Sequence, residues 1–233
     1  MEASAPLLLP LGEHQATVWF KGHPRARFYR LTLQRDGSFR CTIPRRGNLA
    51  HAHDFVRRHQ PWMESRLVRR SLRPGPPREW RLGVLVWFRG IPTPLVRSHA
   101  GPHLQLGDLA IPQQGPDEHN LRPRVERALR DLASRELPLR LQALAALHSI
   151  PAPTVQVRNQ RARWGSCSAR RCISLNWRLV QAPPDVLDYI ILHELAHLRH
   201  MNHSRRFWDE VARLCPRYEA AEAWIKAHGH QIL

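Results

Sequence analysis

The stretch Tyr189–Trp208, YIILHELAHLRHMNHSRRFW, constrains this chain more than any other. Tyr189, Ile190, Ile191, Leu195, Ala196 and Leu198 make a segment apolar enough for a protein core, yet His193, Glu194 and His197 sit among them. Polar groups placed in such surroundings without partners cost roughly 2–7 kcal/mol each. Residues four apart on a helix are separated by about 400°, so His193 and His197 project from one face and reach a common point. That is the spacing with which two imidazoles chelate one ion. Glu194, beside the first histidine, points to the side, where it can bond a water held by the ion without occupying the ion.

The HELAH sequence matches the H-E-x-x-H zincin signature. The chain has 15 histidines, which makes a chance match easier, but the apolar context argues for a partner. A catalytic zinc takes three protein ligands and keeps a position for water, so a third ligand is required. Spacing favours His203, with His200 and the more distant Glu210 as the other candidates. His203 returns to the ion only if the helix stops first. Asn202 tolerates a left-handed helix end, and Ser204 is a good N-cap for a following helix. The metzincin pattern shares this spacing but has Gly where this chain has His200, and no Met-turn is identifiable.

The rest of the chain reads as a mixture of short strands and helices. RARFYRLTLQRDGSFRCTIP alternates around Asp36-Gly37 and predicts a hairpin. Ala50 to Leu67 has helical spacing, with Pro61 starting a second helix, and SLRPGPP breaks it. Residues 79–112 read as short strands extending the hairpin into one antiparallel sheet. A helix is expected over residues 121–147, interrupted at Pro138. TVQVRN and RCISLNWRLV read as strands flanking the loop RARWGSCSAR, and the metal helix, a helix ending at Pro216 and a last helix stopped by Gly229 follow. The composition shift at Pro112–Asn120 is the expected boundary.

Arg163, Trp164, Ser166, Asn176 and Arg178 are candidate substrate-binding residues. A strand beside the metal helix can bind an extended peptide by edge pairing, which would put CISLNW along a cleft. Arg163 or Arg178 could stabilise an oxyanion or hold a phosphate, or be surface arginines; Trp164 and Trp177 could equally be core aromatics. Cys167 and Cys172 are too loosely spaced for a second zinc site.

Taken together, R-W-G-S-C, then L-N-W-R-L, then the A-P-P-x-V-x-D-Y-I-I-x-H-E-L-A-H-L run and N-H-S-x-x-F-W resemble the YgjP-like metallopeptidase family, relatives of the SprT-like zincins. The resemblance is strong from Arg163 to about Pro216 and looser before it. It implies an α+β chain: an antiparallel, β-rich N-terminal region over residues 1–115 with a helical insertion, then a zincin-like catalytic domain with a short sheet over 116–233, as two domains or as one continuous domain. It further implies a zinc-dependent hydrolase with one Zn²⁺ per chain, His193, His197 and His203 as ligands, and Glu194 as catalytic acid/base.

Charge widens the range of substrates. Lys+Arg total 36 against 19 Asp+Glu, a formal +17, and all cations but Lys21 and Lys226 are arginines spread along the chain. Either a compositional bias or a selected basic surface explains this. A peptide or protein substrate is expected first. A nucleoside triphosphate phosphoanhydride on the same site is the alternative, and a nucleic-acid-associated module, as the SprT-like relatives suggest, ranks behind both. The start of the chain lacks a basic n-region and no apolar run reaches membrane-spanning length, so a cytoplasmic location without membrane partners is expected.

Overall fold

The computed structural model describes residues 5–12, 14–34, 36–71, 77, 79–99, 101–112 and 119–232. The break expected within Ser71–Pro77 and the composition shift at 113–118 fall outside the described residues. The architecture is α+β, with small sheets and six α-helices among the described residues, and it separates into two compact units, Met1–Pro74 and Gly75–Leu233.

In the first unit, β1 (Leu7–Leu11), β2 (His14–Gly22), β3 (Arg30–Leu33) and β4 (Phe39–Ile43) form one sheet in the order β1-β2-β4-β3. β1–β2 and β3–β4 are antiparallel and β2–β4 is parallel. The β3–β4 hairpin turns where Asp36-Gly37 was expected to turn it: Gly37 has φ +95°, and Ser38 donates from both N and Oγ to Asp36 Oδ1. Alternate residues Ala16, Val18 and Phe20 of β2 and Phe39 and Cys41 of β4 point to a core shared with Ala52, Val56 and Met63 of α1 (Leu49–Arg58) and α2 (Gln60–Ser71). Asn48 caps α1, accepting from His51 N at 2.8 Å.

In the second unit, β5 (Leu85–Phe88), β6 (Ile91–Arg97), β7 (His103–Leu106) and β8 (Leu109–Pro112) form an antiparallel meander. This corrects the expectation that these strands extend the first hairpin into one sheet. Val86, Phe88, Leu95, Leu104, Leu106 and Ile111 instead share the core of the helices that follow, so the division lies earlier than the expected boundary near residue 115. Which core a strand joins is a long-range matter, and composition is blind to it.

The helix α3 (Arg122–Leu147) runs unbroken through Pro138, where an interruption was expected. An interior proline costs about 3 kcal/mol. Leu129, Leu137 and Leu141, all fully buried on one face, contribute about 1.5–3 kcal/mol each and outweigh it. A second sheet, in the order β10-β11-β9, is built from β9 (Thr154–Arg158), β10 (Gly165–Cys167) and β11 (Cys172–Asn176). A 3₁₀ turn over Trp177–Gln181 leads into α4 (Pro184–Ala196), which carries the HELAH residues and is buried nearly all round. The helices α5 (Arg205–Leu214) and α6 (Tyr218–Ile232) complete the unit. No helix among the described residues is long and apolar enough to cross a membrane.

The last helix does not stop at Gly229, as expected, but continues to Ile232. Gly229 is buried within it, and a Cβ there would sit 3.1 Å from the Trp164 ring. The glycine serves a close approach of helix and indole rather than a helix end.

Candidate metal centre

The α4 helix ends at Ala196, with His197 at its C-cap. A turn over residues 197–199 follows, and Ser204 is the N-cap residue of α5. The helix therefore stops before Asn202, and Asn202 does not take the left-handed conformation expected of it. The turn still accomplishes what spacing required, because it brings His203 back over α4. His203 Nε2 lies 3.3 Å from His193 Nε2, and one ring nitrogen from each of His193, His197 and His203 falls within 4.8 Å of the others. Nitrogen ligands about 2.0–2.1 Å from a tetrahedral ion stand about 3.4 Å apart, so the closest pair has the separation of two ligands on one ion.

Each ring is held from behind. The phenyl of Phe207, fully buried, lies against all three, with centroid separations of 4.9 Å to His193, 4.4 Å to His197 and 4.8 Å to His203. His197 Nδ1 lies 3.1 Å from the carbonyl oxygen of His200, the bond that leaves Nε2 unprotonated for an ion. His200 thus enters the site through its backbone, and its imidazole is not among the clustered groups. Glu210, the other alternative ligand, is taken up by Arg199 at 3.0 Å and Arg213 at 2.9 Å. Burial, and then the neighbouring His197 and His203, push the His193 pKa down to about 4, so the ring is neutral at physiological pH, as a ligand must be.

Glu194 lies beside this cluster, 5% exposed, with Oε2 buried and without a hydrogen-bond partner among the described residues. Burial raises its pKa to about 7, against the opposing charge of Arg163. The space around it is shaped by Gly165 of β10: a Cβ at that position would stand 2.5 Å from Glu194 Oε1 and 2.7 Å from Cγ. The glycine of the RWGSC stretch is what allows the strand to lie flush against the carboxylate.

The five candidate substrate residues separate into two groups. Trp164 lines a cleft of about 430 Å³ beside His193 and Glu194, walled also by Tyr189, Ile190 and Ile225. Arg163 is exposed and acts electrostatically on Glu194, while Ser166 Oγ accepts from Gln160 Nε2 at 3.2 Å. Asn176 and Arg178 do not line the cleft. Asn176, fully buried, donates from Nδ2 to the carbonyls of Gln160 and Arg163, both at 2.9 Å. Arg178 donates to Asn159 Oδ1 at 2.7 Å and lies over the Trp177 ring. Their bonds hold the loop that carries Arg163 and Trp164, which makes them supports of the site.

The strand expected along the cleft is also different. CISLNW supplies β11, which is central and paired on both sides, so it has no edge for a peptide. β10 is the edge strand. Because Asn176 N bonds Trp164 O and Ser168 N bonds Cys172 O, the ladder alternation turns the N–H and C=O groups of Gly165 and Cys167 outward. Phe207 and Tyr189 were not singled out by sequence reasoning as parts of the site. The F-W of N-H-S-x-x-F-W, one turn beyond His203, was the available signal for the first.

A family model for the YgjP-like metallopeptidase domain matches residues 27–228. The chain belongs to the YgjP-like metallopeptidase family. This YgjP-like chain is accordingly a metal-dependent hydrolase of the metallopeptidase class. Among solved structures it is similar to the metallopeptidase zymogen of Pyrococcus abyssi abylysin, at 22% identity over 42% of this chain and 99% of that one, with TM-score 0.37. It is likewise similar to the zymogen of Methanocaldococcus jannaschii jannalysin, at 22% identity over 41% of this chain and 96% of that one, with TM-score 0.35. No curated protein matches the YgjP-like chain.

Proposed function

We propose that the chain hydrolyses peptide bonds with one zinc ion held by His193, His197 and His203, and with Glu194 as the acid/base. The observation that carries this reading is the meeting of three imidazole nitrogens within 4.8 Å beside a buried carboxylate oxygen that has no partner among the described residues. The donor set fits zinc, which takes neutral imidazoles in threes at catalytic sites. When bound, the ion supplies Lewis acidity, polarising the scissile carbonyl and lowering the pKa of a water.

The chain's own residues do the remainder. An extended substrate pairs with the outward N–H and C=O groups of Gly165 and Cys167, which aligns its backbone along α4. One substrate side chain enters the cleft walled by Trp164, Tyr189, Ile190 and Ile225. Glu194 takes a proton from the attacking water at its unpartnered oxygen and returns it to the leaving amine nitrogen. Its burial favours the protonated form that it must adopt between those two transfers.

The test is Glu194→Gln in the zinc-loaded protein. Turnover of a peptide library is expected to fall by about 10²- to 10⁴-fold with metal content unchanged. Activity retained at the wild-type level would remove Glu194 from the role, and loss of metal along with activity would make it a ligand instead.

A further inference from the structure

The net charge of the chain is not evenly spread. Residues 1–74 hold 14 Lys/Arg against 5 Asp/Glu, about half of the formal +17 on a third of the chain. It is denser still over residues 19–46, with eight Lys/Arg against the single Asp36. A compositional bias acting along the whole chain does not produce this contrast.

The sheet of the first unit arranges these charges. One face of β1-β2-β4-β3 packs on α1 and α2, so the alternate residues point the other way. Register places Trp19, Arg40 and Thr32 side by side across three strands, and Lys21, Thr42 and Arg30 in the next row. Trp19 is 45% exposed, although its large apolar ring would be the first thing a soluble sheet covers. A groove of about 1040 Å³ opens at the same end of the sheet, lined among others by Trp19, Lys21, Arg40 and Arg45. Lys21, Arg30, Arg40 and Arg45 are exposed, and none pairs with a carboxylate among the described residues. Phe28, in the connection between β2 and β3, is 80% exposed.

We infer that this face binds a single-stranded nucleic acid. Unpaired cations supply the attraction to phosphates and the release of counterions. The indole of Trp19, opposite Arg40 in register, offers a flat surface for a base, and the bases of an unpaired strand have exposed faces where those of a duplex are stacked inside the helix. An acidic peptide would use the same cations but leave Trp19 without a role. The placement of an exposed aromatic beside Arg40 and Lys21 is therefore what selects a single strand over the other polyanions. The inference does not depend on the hydrolytic site, which belongs to the second unit.

The experiment is fluorescence anisotropy with the full chain, zinc-loaded. The probes are labelled 20-nucleotide oligo-dT and oligo-U, a 20-base-pair DNA duplex and a poly-glutamate peptide, each titrated from 50 to 300 mM KCl. Binding to either single strand at least about tenfold tighter than to duplex or poly-glutamate is expected, and the tighter of the two names the polymer. Three or four neutralised phosphates correspond to a log–log salt slope of about −2 to −3. Trp19→Ala is expected to weaken single-strand binding about tenfold at unchanged slope. Arg40→Gln, which removes no core side chain and so tests the face even if the first variant folds poorly, should make the slope shallower by about 0.7. Equal affinity for duplex or poly-glutamate, or indifference to both substitutions in folded protein, would overturn the inference.

Discussion

Replacing Gly165 with alanine adds one methyl group on an edge strand, a change that strand propensity alone would rate as neutral or mildly favourable. The site makes it costly. The new Cβ would lie 2.5 Å from Glu194 Oε1, 2.7 Å from Cγ and 2.9 Å from Cδ. Ordinary contact begins near 3.4 Å, so the carboxylate and the strand must separate by about 0.5–1 Å. Rotation of the carboxylate tip alone does not relieve the clash, because Cγ is also too close and the side chain is buried. Either Glu194 leaves its position or β10 lifts from α4. A displacement of about 1 Å in a reacting group costs on the order of 10²-fold in rate. Overpacking of this kind costs about 1–3 kcal/mol, which corresponds to roughly 2–12 °C in melting temperature for a unit of this size. The assay is kcat/KM on a peptide substrate, with zinc content and melting temperature measured on the same preparation. Retained zinc, a rate about a hundredfold lower and a lower melting temperature are expected. Wild-type kcat/KM with an unchanged melting temperature would refute it, since the contact between Gly165 and Glu194 would then not be made.

Phe207→Ala removes the ring that backs all three histidines and should cost about 3–5 kcal/mol of stability; zinc affinity should fall with it, and metal titration showing wild-type affinity in folded variant would deny the ring any part in positioning the ligands. The Glu210 carboxylate is held below its ordinary pKa by its bond to Arg213, partly opposed by burial, with Arg199 adding to the lowering. Its stabilising contribution is therefore fully present above the ordinary glutamate value of about 4.3 and is lost as pH falls below that towards the lowered folded value. Glu210→Gln should reduce thermal stability at pH 7 and converge on the wild type at lower pH, and melting curves that stay equally separated from pH 7 to the acid limit would contradict the assignment. Pro138→Ala restores a helical N–H within α3 and should raise stability by up to about 3 kcal/mol; a lower melting temperature would mean that the proline ring packs in a way its partial exposure does not indicate.

Local patterns were enough for a good part of this protein. A helix repeats every 3.6 residues and a strand every two, so the metal helix, the β3–β4 hairpin and the pair α1–α2 could be placed from neighbours in the chain alone. The same periodicity put His193 and His197 on one face and Glu194 at its side, because these three lie within a turn and a half of each other. The strand β2 has an equally regular alternation in Ala16, Val18 and Phe20, whereas β1 is a run of leucines around Pro10, whose pairing with β2 its own pattern does not announce.

What tertiary structure alone decided involves contacts between segments far apart in sequence. The meander β5–β8 joined the core of α3 and α4 rather than the first sheet, since burial partners are chosen across the whole chain and not by adjacency. Pro138 stayed inside a helix and Gly229 failed to end one, because packing energy on one face outweighed local preference. The third imidazole reached its place through a turn at His197, set by how α5 docks on α4, and the lone helix-end signal at Asn202 carried no information about that docking. Asn176 and Arg178 are polar residues in a motif and so resembled ligand-binding groups; only their buried hydrogen bonds to the 159–165 loop distinguish a support from a contact. Glu194 owes its raised pKa to Gly165 and the apolar walls around it, an environment assembled from residues nearly thirty positions apart that no local pattern encodes.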